Sequence, residues 1–130
     1  MITTLPAGTV TVTPSDKGRA EHSVSGATIM ANVVNIASHW HFVRWELTVS
    51  ANDKNGIRQT RTGQYTTRQI TVDVNSLAWT SEREKVNYWT LTATLQEDEK
   101  HTITITTIRS PVYQDVVVTG GGSQTGYVGD

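Results

Sequence analysis

Cysteine is absent from this 130-residue chain. That excludes a disulfide framework and a thiolate-ligated zinc site, and it leaves stability to packing and backbone pairing. Long apolar runs are missing as well. No stretch reaches the roughly eighteen residues a membrane span requires, and the opening MITTLPAGTVTVTP has no basic segment leading into an apolar one. Neither a membrane contact nor a secretory signal is therefore expected. Charge of one sign is also lacking, because 11 basic and 12 acidic residues are interspersed to a net −1. A nucleic-acid or anionic-lipid partner would need a one-sided field that this balance does not supply. The largest local excess is Arg44, Lys54, Arg58, Arg61 and Arg68 against Glu46 and Asp53, and the wet face of a sheet accounts for it.

Motifs of catalysis are scarce too. There is no Gly-x-Ser-x-Gly elbow and no phosphate-cradling loop, since the Gly120–Gly122 cluster opens no helix. The carboxylates Glu97, Asp98 and Glu99 sit in a polar stretch where neither burial nor a fixed partner would tune them. The expectation is a protein that is not an enzyme and needs no cofactor.

What is present is threonine, 22 residues of it. Branching at Cβ favours the extended backbone, so an all-β fold is the natural reading. TVTVTP (9–14) alternates between two prolines, which suits an edge strand or an extended arm. Residues 25–37 carry apolar side chains at helical spacing but are rich in β-branched residues; the all-β surroundings tip the reading toward a strand. Residues 39–50 form the strongest strand, with His41, Val43, Trp45, Leu47 and Val49 on the core face and Trp40, Phe42, Arg44, Glu46 and Thr48 opposite. Asn55-Gly56 then predicts a hairpin, with both central residues at positive φ. Ile70, Val72 and Val74 alternate inward in QITVDV. Ser81 and Glu84 have capping-box spacing and predict a short helical turn. YWTLTATLQEDEKHTITITTI (88–108) reads as a hairpin in which Trp89, Leu91, Ala93 and Leu95 face Ile103 and Ile105. A last strand follows Pro111, and the Gly-rich end is predicted to be mobile unless a neighbour holds it.

The expected fold is thus an all-β antiparallel β-sandwich of about seven to eight strands. It divides into an N-terminal arm or edge strand (1–14), a sandwich domain (15–119) and a Gly-rich tail (120–130). Trp45 on a central strand, a crossing turn ending near Tyr88 and the 88–108 segment resemble the C strand, E–F crossing and F–G hairpin of immunoglobulin-like domains. The likeness is to the cysteine-free bacterial and bacteriophage structural type, over residues 40–108. That resemblance implies adhesion or scaffolding.

His39-x-His41 with Glu46 is similar to the first half of the cupin metal motif. The second half is not found, and Glu46 has the wrong parity for the histidine face. A strand end with satisfied or exposed histidines is preferred, and no metal is expected. Trp40 and Phe42 point away from Trp45. Either another segment covers them, or they form an interface or a sugar-stacking platform. Thr9, Thr11 and Thr13 of the arm, with Val116 and Val118 of the last strand, offer backbone edges to an adjacent sheet. The function expected is a non-catalytic structural or assembly protein located in a bacteriophage virion. Its partners would be copies of itself or other virion proteins. A carbohydrate-binding module or receptor-binding adhesin drawing on Trp40, Tyr65, Trp79 and Tyr113, with a glycan as ligand, is the alternative.

Overall fold

The computed structural model describes residues 1–104 and 123–127, with side-chain surroundings through Glu99. The chain divides into two compact units, Met1–Gln96 and Glu97–Asp130. In the first, β1 (Thr9–Thr13), β4 (Trp40–Asp53), β5 (Arg58–Tyr65) and β7 (Arg83–Glu97) form a four-stranded sheet in the order β1-β7-β4-β5. A three-stranded sheet, β2-β3-β6, contains β2 (Arg19–Ser25), β3 (Thr28–Val34) and β6 (Gln69–Asp73). In the second unit, β8 (Lys100–Thr104) pairs antiparallel with β9 (Ser123–Tyr127). Five residues of the expected mobile tail are therefore held in a ladder.

The two sheets share one core. Trp45, Leu47 and Val49 of β4, with Trp89, Leu91 and Ala93 of β7, cluster with Ile29 and Val33 of β3 and Ile70 and Val72 of β6. Each fully buried large apolar side chain contributes about 1.5–3 kcal/mol, so this cluster outweighs any surface pair. The all-β, two-sheet, sandwich-like architecture agrees with the sequence reading, residues 28–34 included, which are strand.

Five local expectations are corrected. The sandwich is not purely antiparallel, because β1 runs parallel to β7 from Thr9↔Thr90 to Thr13↔Thr94. That pairing occupies the side of β7 where a returning strand would lie, and among the described residues the expected hairpin is not formed: β7 is flanked by β1 and β4, whereas β8 pairs with β9, and Ile105 lies outside the described residues. The β4–β5 turn needs only one left-handed residue, Gly56 (φ 78°). Asp53 N donates to Ile57 O, and Gly56 N donates to Asp53 O, giving a three-residue loop closed by a left-handed glycine. The helical turn is not at Ser81–Glu84, because Arg83 already begins β7. It is a 3-10 turn at Val74–Ser76, capped by the Asp73 carboxylate, which accepts from Asn75 N at 2.9 Å.

The fifth correction concerns the start of β4. Burial alternates from Trp45 to Val49, within the stretch where β5 pairs alongside from Trp45↔Tyr65 to Asn52↔Arg58. Ahead of that ladder the faces exchange: His41 is exposed, while Trp40 and Phe42 are half-buried and pack against the core. The Phe42 and Trp45 rings lie 6.1 Å apart at 53°. β5 does not reach this part of the strand, and there the larger apolar rings turn inward while His41 is exposed.

Candidate interaction surface

Residues 1–8 precede β1 as an extended strap fastened to the first unit. Ile2 is buried at 1% exposure. Its backbone is bracketed by one side chain: Ile2 N donates to Asn75 Oδ1 and Asn75 Nδ2 donates to Ile2 O, both at 2.9 Å. The Met1 amino nitrogen lies 2.9 Å from Glu82 Oε1 and 3.1 Å from Glu84 Oε1. Further along, the Trp89 indole donates to Pro6 O at 2.8 Å. Gly8 passes so close to the same ring that an added Cβ would overlap Cδ2, Cε2 and Cζ2 of Trp89. Only glycine permits that approach.

The strap delivers β1 to the sheet edge with its two faces sorted. Val10 and Val12 turn to the core, and Thr9, Thr11 and Thr13 are exposed on the outer face. The register sets these three beside Thr90, Thr92 and Thr94, and the Thr11 and Thr92 hydroxyls are 3.2 Å apart. Among the described residues no strand pairs with the other side of β1. A groove of about 360 Å³ opens there between β1 and β2, lined by Val10, Val12 and Ala20 with Thr11, Ser15 and Arg19.

Of the expected interface residues, the fold thus gathers Thr9, Thr11 and Thr13 on one open edge. Trp40 and Phe42 lie on β4, beyond β7 in the sheet order, and turn to the core rather than forming a bare platform. Lys17 Nζ sits 5.4 Å above the Trp40 ring. Val116 and Val118 lie outside the described residues, as does Tyr113. Trp79 is engaged as well, donating from Nε1 to Val74 O at 3.0 Å beneath the Arg83 guanidinium. Tyr65 is half-buried on β5, and burial raises its hydroxyl above the usual phenol range.

Among the described residues no three His, Cys, Asp or Glu side chains gather closely enough to hold a metal ion. His22, on β2, meets Trp89 edge-on at 6.2 Å. Of the basic residues between 44 and 68, Arg44 pairs with Glu46 at 2.8 Å and Arg61 donates to Ala78 O, which ties both down within the domain.

Among the described residues the one deeply buried charge is Arg83, at 2% exposure. It donates to Ile57 O at 2.9 Å, Ser81 O at 3.1 Å and Ala51 O at 3.3 Å, bonds the Ser81 hydroxyl, and faces Asp53 at 3.8 Å. Asp53 in turn accepts from the amides of Ile57 and Asn55, which, with Arg83 and Lys54 nearby, hold its carboxyl below the ordinary range. This cluster locks the β4–β5 loop to the start of β7. Its donors and acceptors are turned on one another, which makes it a clasp.

Ile2, Gly8, Asn75 and Arg83 were not singled out from the sequence. Gly8 carries a faint signal, a glycine immediately before an alternating strand, but Asn75 and Arg83 act on segments 73 and 26–32 residues away that no local pattern connects to them. No family model matches the chain, and neither a curated protein nor a solved structure does.

Proposed function

We propose that this chain is a non-catalytic assembly protein that joins copies of itself or companion proteins through the edges of its sheets. The observation carrying this reading is the β1 edge, which has β7 on one side, no strand on the other among the described residues, and an apolar-lined groove alongside. Unpaired strand amides and carbonyls are templates for another strand, and β-branched side chains beside them supply the contact area. A bacteriophage virion of the immunoglobulin-like structural type is the setting we favour. A two-sheet core held without a single cysteine suits a particle built in a reducing cytoplasm.

Light scattering of the full chain over a range of concentrations tests the reading. The mass should rise with concentration, and Thr13→Lys, a charge placed on the exposed side of the edge strand, should lower it while leaving the thermal midpoint nearly unchanged. A chain that stays monomeric throughout would sink the proposal. Saturable quenching of tryptophan fluorescence by a polysaccharide, with no change of mass, would favour the carbohydrate-binding alternative instead.

A further inference from the structure

We infer that residues 1–13 are an exchangeable donor strand, which one copy of the chain docks beside β7 of a second copy. This inference rests on the assembly reading above and specifies its mechanism. In an immunoglobulin-type sandwich, the seat beside the penultimate core strand belongs to the strand that follows it in sequence. Here the strand that follows β7 pairs elsewhere, with β9, and the seat is filled from the other end of the chain, by a segment 81 residues away. The direction is parallel, which no tight turn could impose. The seat is therefore a receptor for a separate strand, and β1 is its occupant.

Donor and receptor divide cleanly in the sequence. The strap supplies Ile2, the Pro6 carbonyl, the bare Cα of Gly8 and the inward Val10 and Val12. Its hydrogen-bonding partners come from residues beyond 73, the Asn75 amide, the Trp89 indole and the backbone of β7 from Thr90 to Thr94, while β2 and β3 complete the apolar seat. Nothing in these contacts requires both halves to belong to one polypeptide.

The covalent link between β1 and β2 is the five-residue connection 14–18. It is folded back by Lys17 N donating to Pro14 O and pinned by Ala37 N donating to Lys17 O. Extending it toward a neighbour sacrifices those two bonds, whereas every strand contact is regained in trans. The balance is therefore set mainly by effective concentration, about millimolar for a short connection, so docking within one chain prevails when dilute and exchange when copies crowd together.

The absence of cysteine makes the test free of background. Thr11→Cys and Thr92→Cys, at register partners, are made in separate chains, unfolded together, refolded at high concentration and treated with a short bifunctional thiol reagent. Exchange predicts the mixed Thr11→Cys/Thr92→Cys dimer in excess over either like dimer by at least about tenfold. The double variant at high dilution, linked within one chain, verifies the chemistry, and Thr9→Cys with Thr90→Cys repeats it one rung away. Mixed product no more abundant than the like dimers, while the double variant links internally, overturns the inference. The mass of the untreated chain separates the two failures: oligomers without mixed product refute exchange but leave edge assembly standing, whereas monomers at all concentrations refute both.

Discussion

Gly8→Ala measures how much of the fold depends on the strap. The added methyl overlaps three atoms of the Trp89 ring, and that ring is buried at 1% exposure within the core cluster, so it has little room to yield. The strap must lift instead. Overpacking of this kind costs about 1–3 kcal/mol. Lifting the strap also parts Pro6 O from the indole N–H, and a buried donor left without a partner costs about 1–3 kcal/mol more. Partial relaxation makes the two overlap, so a loss of about 2–4 kcal/mol is expected. Urea unfolding followed by tryptophan emission reads this as a lower midpoint with little change in slope, and emission from the folded state shifts to the red as water reaches Trp89. Gly56→Ala is the matched control. It has open space around its Cβ but sits at φ 78°, so it should cost only about 1 kcal/mol with unshifted emission. Should Gly8→Ala prove as stable as the parent, with identical emission, the strap does not lie on Trp89 and the donor-strand argument falls with it.

Two further perturbations address the loop clasp. Arg83→Met keeps most of the volume but strips the donors from three backbone carbonyls and leaves Asp53 facing an apolar chain, for an expected loss of about 2–4 kcal/mol in urea unfolding; stability within 0.5 kcal/mol or so of the parent would refute the clasp. Asp53 gives the pH dependence. Its folded-state value lies below that of the unfolded chain, so the carboxylate stabilises the fold above about pH 4 and this contribution disappears as pH falls through the folded value. Thermal melts from pH 6 to 3 should show Asp53→Asn losing less stability on acidification than the parent, and parallel curves would show that the loop amides do not tune this group.

How much of this was legible in the sequence follows the range of the forces involved. Strand alternation is a local signal, and it correctly placed Trp45, Leu47, Val49, Ile70, Val72, Trp89 and Leu91 in the core. It failed at Trp40–Arg44, beyond the reach of β5, where the larger apolar rings of Trp40 and Phe42 turn to the core and His41 is exposed. It failed again at Ser81–Glu84, where a capping pattern competed with a buried arginine whose partners lie on the β4–β5 loop. The parallel β1–β7 pair is the instructive miss. TVTVT and TLTAT are individually plain strands, but nothing local says that they pair, and the polar stretch after β7 looked like a hairpin turn. Only competition for one seat resolves this. Once the strap is fixed at Ile2, Pro6 and Gly8, Thr9 is carried to Thr90 and the returning strand is excluded from that edge. The segments that appear weakest to a local reading, a strap with little alternation and a 3-10 turn bearing one asparagine, therefore decide the order of the sheet, and through it the edge by which the proposed assembly would form.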